Sequence, residues 1–360
     1  MKTRSKSRLK RRSVAENIFY AALRAVDPYA SVRSYFKDSP LDTTQYKNIY
    51  VVGGGKAVCR MASAVERLYA PEITAGCVVT KYGHGLPLKK VRVAEAGHPV
   101  PDRNGAKGAE EVLRIAARAG KGDLVITLLS GGASALLSSP EGITLADKKK
   151  MTRLLVNSGA AIAEINSVRK HLSGIKGGQL MKAVYPARSL TLIVSDVVGD
   201  DLSAIGSGPT VPDPTTYADA FAVLKKYGLI SGAPSSVLKR LSSGISGAVA
   251  ETPKPGDPAF RSAAAVVVAG NSSALEAAKR KAKSLGYNTL VLSSSVTGPT
   301  RFTAAIFSDI IREVKSSGNP VASPACLLFG GETTLKVTGR GMGGRNQEFA
   351  LVAAARIEGL

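Results

Sequence analysis

Apolar positions along this chain keep two rhythms. Val14, Ile18, Ala22 and Val26 fall at steps of four, the spacing of one helix face. Beyond them, short apolar runs alternate with helical stretches. Strands are predicted over 48–52, 76–80, 123–129 and 189–195. Helices are predicted over 56–70, 105–118, 145–172 (largely) and 217–227. The pattern resumes after residue 260, with strands over 264–269, 288–292, 325–329 and 333–338 and helices over 272–285, 300–316 and about 345–358. Such alternation predicts a mostly parallel sheet covered by helices on both faces. Ligands in sheets of that kind bind beyond the carboxyl ends of the strands.

Residues 242–260 interrupt the rhythm with Ser-Ser-Gly, Ser-Gly and Thr-Pro-Lys-Pro-Gly-Asp-Pro, a composition that suits a linker. The expected organisation is therefore a basic disordered tail over 1–13, a Rossmann-like domain over 14–241, the linker, and a smaller α/β domain over 261–360. Two domains suit a chain of 360 residues, at about 150 residues each.

The net charge of +22 adds a preference for anionic partners. Seven basic residues lie between Lys2 and Arg12, an arm that can bind nucleic acid or anionic lipid. No aromatic or glycine interleaving accompanies it, and the chain has no tryptophan, so a solvated tail is the favoured reading. Cys59, Cys77 and Cys326 form no CxxC pair, which leaves neither a zinc site nor a redox motif. No apolar run reaches the roughly 20 residues that span a bilayer, and no signal-peptide core follows the arm. The expectation is a cytoplasmic protein. The oligomeric state is left open, a homo-oligomer included.

Four loops that follow strands carry chemistry. Val51-Val-Gly-Gly-Gly-Lys-Ala57 places Gly54, Gly55 and the Lys56 ammonium at a helix start, where backbone N–H groups and a cation meet a phosphate, although a tight turn explains the glycines equally well. Leu129-Ser-Gly-Gly-Ala-Ser134 offers small residues and N–H groups from Ser130, Gly131, Gly132 and Ser134 to the same end. It is not a nucleophile elbow, because no glycine stands two residues beyond Ser134. Asp196, Asp200 and Asp201 cluster after the fourth strand, where carboxylates hold magnesium, orient a hydroxyl, or merely cap turns. The last loop, Gly330 to Phe349, contains Glu332, Thr333, Arg345 and a Gly339-x-Gly341-x-x-Gly344 pattern. That pattern keeps a nicotinamide-dependent enzyme in view, although no acid can follow about 20 residues on before Leu360. Between loops, Arg169, Lys170, His171 and Lys176 are able to clamp a carboxylate, or to form a solvated basic face. His98, in a proline turn, reads as structural.

Six ordered blocks together resemble one family, the class II glycerate kinases built from a MOFRL domain and its associated N-terminal domain. The blocks are GGGKA (53–57), GHPVPD (97–102), SGGASAL (130–136), INSVRKHLSGIKGG (165–178), SDVVGDDLSAIGSGPTVPDPTT (195–216) and GGETTLKVTGRGMGGRNQE (330–348). The resemblance implies two α/β domains with the active site in their cleft, and phosphorylation of D-glycerate by ATP with Mg2+, giving 2-phosphoglycerate in many members. It implies that Lys56 and Arg345 face each other across the cleft as catalytic cations. On this reading Gly54, Gly55, Ser130, Gly131, Gly132, Ser134, Glu332 and Thr333 shape the ATP site. Arg169 or Lys170 grips the glycerate carboxylate. Asp196 and Asp201 hold the metal, and Asp196 also orients the attacking hydroxyl. Family members continue beyond the GGRNQE helix with an acidic, glycine-rich segment, so the second domain is expected to be incomplete at its C-terminus. The family's older label, hydroxypyruvate reductase, keeps an NAD(P)H-dependent alternative. The non-enzyme alternative is nucleic-acid binding through the basic arm.

Overall fold

The computed structural model describes residues 2–339 and 341–360, with side chains from Arg11 onward. Two compact units divide it, one of Pro28–Val268 and the other of Met1–Asp27 with Ala269–Leu360.

A six-stranded sheet organises the larger unit. Its strands are β1 (Ile49–Gly54), β2 (Ile73–Lys81), β3 (Val91–Ala96), β4 (Leu124–Ser130), β5 (Arg188–Val194) and β6 (Ala263–Ala269). The order is β3-β2-β1-β4-β5-β6, and the pairs β2–β3, β1–β2, β1–β4 and β4–β5 are parallel. Each residue of β1 and β4 is buried, as expected of strands flanked on both edges and covered on both faces. Alternate residues sort between the two faces. Tyr50 and Val52 join one core layer, and Ile49 and Val51 join the other.

In chain order the helices begin with α1 (Lys2–Ala25), α2 (Pro28–Asp38), α3 (Val58–Tyr69), α4 (Arg103–Ala116) and the single turn α5 (Ala133–Leu136). Val32 and Phe36 of α2 and Val58, Met61 and Val65 of α3 pack on the face shown by Ile49 and Val51. Ala109, Val112 and Ile115 of α4 and Ala133 and Leu136 of α5 pack on the other. A third core joins α6 (Leu145–Asn157), α7 (Ile162–His171), α9 (Tyr217–Lys226) and α10 (Ser235–Ile245) through Met151, Leu155, Val168, Tyr217, Leu224 and Leu241. Between them in sequence, α8 (Gln179–Val184) belongs to the sheet layer of α4.

The smaller unit pairs β7 (Asn288–Val296) with β8 (Ala325–Gly331) in parallel and surrounds them with α1, α11 (Asn271–Ser284), α12 (Thr300–Ser317) and α13 (Arg345–Arg356). Phe307 of α12 stacks on Phe329 of β8 at 3.8 Å between centroids, and Phe349 of α13 lies 5.4 Å from Phe329.

Several expectations change. The first helix runs from Lys2, where the sequence reading placed a disordered tail over 1–13; Met1 lies outside the described residues. Lys, Arg and Leu are good helix formers, and the stretch contains no glycine or proline. From residue 14 the apolar stripe of Val14, Ile18 and Ala22 meets Ala278 and Ala282 of α11. Residues 145–172 form two helices, because Gly159 takes a left-handed φ of 76° between them. Residues 333–338 form no strand; Thr334 alone bridges to Pro299. The segment 242–260 lies within the larger unit rather than between units. Its polar groups are anchored: Thr252 Oγ1 donates to Asp213 at 3.1 Å, Lys254 pairs with Glu251 at 3.0 Å, and Asp257 caps a 3-10 turn.

The same anchor fixes α7. Lys170 Nζ lies 3.2 Å from Asp213 Oδ1, and both side chains are buried. Asp213 also accepts from Thr215 N, Thr215 Oγ1 and Thr252 Oγ1. Burial pushes its carboxyl upward, but Lys170 and the Thr215 bonds outweigh that, and its pKa falls below 3.8. A depressed carboxylate stabilises the fold above its ordinary pKa, and that contribution is lost as pH falls through the lower, folded value. Asp213→Asn leaves a buried ammonium uncompensated and should destabilise by about 3–5 kcal/mol at pH 7. Urea titration of both proteins should show the gap narrowing only below about pH 4. In α10, a Cβ at Gly244 would stand 2.1 Å from the buried Tyr217 ring. Gly244→Ala should therefore destabilise by roughly 1–3 kcal/mol, despite the better helix propensity of alanine; thermal unfolding reads it directly.

Candidate functional site

The carboxyl ends of β1, β4 and β5 bring three loops together. After β1 the chain turns at Gly55, whose φ is 141° and whose hypothetical Cβ would lie 2.1 Å from Ser130 Oγ. Only glycine satisfies both limits. The next two amides fasten this loop to the one after β4. Lys56 N donates to Gly131 O at 2.8 Å, and Ala57 N donates to Ser130 Oγ at 3.0 Å. The loop after β5 closes against both. A Cβ on Gly131 would fall 1.9 Å from Asp196 Oδ2, so the carboxylate rests on bare backbone there.

Lys56 Nζ lies 3.7 Å from Asp196 Oδ2, with the side chains 42% and 57% exposed. A long, wet pair of this kind contributes little stability, at most about 1 kcal/mol. Both groups are therefore open to a ligand. The His98 ring lies beside Gly132, where a Cβ would stand 3.0 Å from it. Its pKa is depressed, first by burial and then by the charges of Lys56 and Lys81, against the opposing pull of Asp196. The sequence reading gave His98 a structural role and did not place it beside these loops; its signal was the GHPVPD block.

Ser134 begins a second constellation. Arg169 Nη2 donates to Ser134 Oγ at 2.6 Å, and Lys176 Nζ donates to the same oxygen at 3.0 Å. With both lone pairs engaged, the Ser134 hydroxyl is left to donate to Ser207 Oγ, 2.8 Å away. Ser207 Oγ in turn donates to Asn166 Oδ1 at 3.1 Å. Lys176 also reaches Ser134 O at 2.8 Å and Gly206 O at 3.2 Å. Ser207 holds a left-handed φ of 65° between Gly206 and Gly208, a strained geometry for serine that clusters at functional sites. Lys148, on α6, is buried with no hydrogen-bond partner for its Nζ. Burial and then the Arg169 charge lower its pKa to about 7. Burial, then Arg169 and Lys148, lower that of Lys176 strongly. The sequence reading named Arg169 and Lys176 but missed Lys148, which sits in an ordinary Lys-Lys-Lys surface pattern.

Of the other residues named from sequence, Lys170 is taken by Asp213 and does not join Arg169 on Ser134. His171 bonds Ser167 O and Glu251 and packs on Tyr217, a structural role. Asp201 accepts from both the N and the Oγ of Ser203, which makes it a turn cap. Gly54 packs against Leu137, beneath the loop. In the smaller unit, Arg345 opens α13 with its Nη2 2.8 Å from Glu332 Oε1. Thr333 Oγ1 meets Thr300 Oγ1 at 3.0 Å, at the start of α12. Residues 332–344 separate β8 from α13, so the Gly339–Gly344 pattern is not the tight strand-to-helix turn of a dinucleotide site.

Among the described residues no three His, Cys, Asp or Glu side chains group around a metal position, and no helix is long and apolar enough to cross a membrane. Magnesium carried with a nucleotide needs only one or two carboxylates, because waters and phosphates complete its shell. The half-exposed Asp196 fits that requirement better than Asp201.

Known proteins match nearly the whole chain. Residues 14–242 match a family described as a domain of unknown function (DUF4147), and residues 325–360 match the MOFRL family. A glycerate 2-kinase from Pyrococcus horikoshii is 41% identical, over 97% of this chain and 80% of its own length. A putative hydroxypyruvate reductase from Agrobacterium vitis is 42% identical, over 97% and 77%. The crystal structure of a glycerate kinase from Thermotoga maritima superposes with a TM-score of 0.86 at 39% identity, covering 97% of this chain and 80% of that one. With that extent of sequence and fold in common, the chain belongs to the MOFRL family of glycerate kinases.

Proposed function

We propose that this protein transfers the γ-phosphoryl group of ATP to D-glycerate, at the 2-hydroxyl. The observation that carries the reading is the convergence of Lys56, Asp196 and the bare backbone of Gly131 at the ends of three adjacent parallel strands. Such a place supplies what phosphoryl transfer demands, namely positioning and neutralisation rather than covalent chemistry.

Each group then has a role. The backbone of Gly55 and of Ser130 to Gly132 lines the approach of the ATP phosphates, whereas Gly54 lies beneath the loop and Ser134 is held by Arg169 and Lys176. With its single turn, α5 adds only a small dipole, so Lys56 provides most of the fixed positive charge there. Asp196 accepts the hydroxyl proton of glycerate as that oxygen bonds to the γ-phosphorus and the bond to the β-phosphate oxygen breaks. Arg169 is assigned to the glycerate carboxylate; Lys170, committed to Asp213, holds α7 in place. Arg345 is assigned as the second cation on the transferring group, with Glu332 orienting it and Thr333 beside it. A magnesium ion held by Asp196 would add charge neutralisation on the phosphate oxygens.

Reduction of hydroxypyruvate is the competing activity, and one assay separates the two. The protein is incubated with D-glycerate, ATP and magnesium while ADP release is followed, and separately with hydroxypyruvate and NADH or NADPH. Glycerate-dependent ADP release with 2-phosphoglycerate as product is expected. Nicotinamide oxidation without ADP release defeats the proposal. Lys56→Ala and Arg345→Ala should each lower kcat/KM by about 10²–10³, the usual effect of removing one charge-stabilising group. Near-normal rates in either variant remove that residue from the mechanism.

A further inference from the structure

Three basic side chains lie together in the larger unit without a counter-ion. Lys176 is fully buried, and Lys148 is 5% exposed. Arg169 and Lys176 donate to the same oxygen, Ser134 Oγ, and the Arg169 charge lowers the pKa of Lys176 and Lys148. Among the described residues no carboxylate pairs with any of them. Contrast Lys170, the neighbour of Arg169 in sequence, which has Asp213. A buried charge without a partner costs several kcal/mol, so folded proteins pair such charges or exclude them.

We propose that Arg169 and Lys176, which meet at the Ser134 hydroxyl, and the buried, unpartnered Lys148 form the receptor for one compact oxyanion. On the phosphoryl-transfer reading above, on which only the identity of its bearer rests, that oxyanion is the carboxylate of glycerate. A phosphate group of the nucleotide presents the same chemistry, and the experiment separates the two.

Hydrogen-bond capacity divides the labour. All three N–H groups of Lys176 are engaged, by Ser134 O, Ser134 Oγ and Gly206 O. It therefore fixes Ser134, and an entering anion favours its charged form. Lys148 has no acceptor at all, so its three N–H groups are available. Arg169 gives one N–H to Ser134 and carries a planar fork matched to two oxygens. The chain from Ser134 through Ser207 to Asn166 sets the direction of the hydroxyl proton and keeps both serine lone pairs toward the cations. Ser207 keeps its left-handed backbone to complete that chain. An anion entering here meets two donors aimed by a third cation, and it supplies the missing counter-charge.

Lys148→Met is the informative variant. It removes a buried amine that makes no hydrogen bond and keeps an unbranched side chain, so the protein should fold with a higher Tm than wild type. Binding of D-glycerate and of ATP is measured separately on the full chain by calorimetry, alongside KM for each. The expected result is D-glycerate affinity weakened at least ten-fold and its KM raised in proportion, with ATP affinity changed less than two-fold. The reverse pattern keeps the receptor and assigns it to a nucleotide phosphate. Unchanged affinity for both ligands overturns the proposal. So does a lower Tm with unchanged affinities, which marks Lys148 as structural. Arg169→Lys, which retains charge but loses the fork, should weaken the same ligand as Lys148→Met, and an effect on the other ligand alone also overturns it. Wild type that binds D-glycerate through Lys148 but releases no ADP removes the proposed activity and leaves the receptor standing.

Discussion

β1 and β4 lie side by side in parallel, yet their chains leave the sheet to opposite faces. β1 continues into α3, which packs with Ile49 and Val51; β4 continues into α5, which packs with Tyr50 and Val52. At such a switch point no helix covers the carboxyl ends, and a crevice is left between the two departing chains. The loops must then satisfy one another. Lys56 N bonds Gly131 O, and Ala57 N bonds Ser130 Oγ, so neither loop is free to move alone. The approach is so close that side chains are excluded at Gly55 and Gly131. What remains at the surface is backbone, one ammonium and one carboxylate. The composition of the site follows from the topology of the sheet.

α7 carries two neighbouring basic residues with opposite surroundings. Successive residues point about 100° apart around a helix, so Arg169 and Lys170 face different surroundings. Lys170 enters a pocket of acceptors organised by Asp213, and the pair locks α7 to the 213–215 loop and to Thr252. Arg169 turns to Ser134 and meets Lys176 there, with no carboxylate beside either. The first arrangement compensates buried charge and stabilises; the second leaves it uncompensated and costs stability in the free protein. Proteins retain local destabilisation of that kind where function requires it.

Much of this was legible in the sequence. Long apolar runs such as Asp123–Leu129 and Ser189–Ser195 announced β4 and β5, because a strand buried on both faces has no polar face to confuse the pattern. The edge strand β3 was missed because Val91 and Val93 alternate with Arg92 and Ala94 in a short, half-exposed segment. The glycine loops pointed correctly to the strand ends, since glycine there reports a close approach that composition alone reveals. Which cation faces which partner was not legible. Arg169 and Lys170 are equivalent in sequence, and the choice between them is made by Asp213, 43 positions away. Lys148 was hidden for the same reason: its burial is a property of how α6 packs beside α7 in the third core, not of its own neighbourhood in the chain. The Pro- and Gly-rich 242–260 segment misled because proline and glycine report only that a helix or strand stops, whereas Thr252 and Lys254 decide that the segment stays attached.

The Gly339–Gly344 pattern makes the complementary point for the smaller unit. A dinucleotide fingerprint works because a strand delivers its glycines directly to a helix start, so that a pyrophosphate meets the first free N–H groups. Here β8 ends at Gly331, and the chain runs through 332–344 before α13 begins. Glu332 N is instead bonded to Val296 O, and Thr334 N to Gly298 O, which ties the start of the segment to the end of β7 rather than to α13. Glycines so far from the strand end cannot clamp a pyrophosphate between strand and helix. The group that does stand at the helix start is Arg345, held by Glu332 and about half exposed. A partly solvated guanidinium beside one carboxylate can exchange that partner for another oxyanion at little cost.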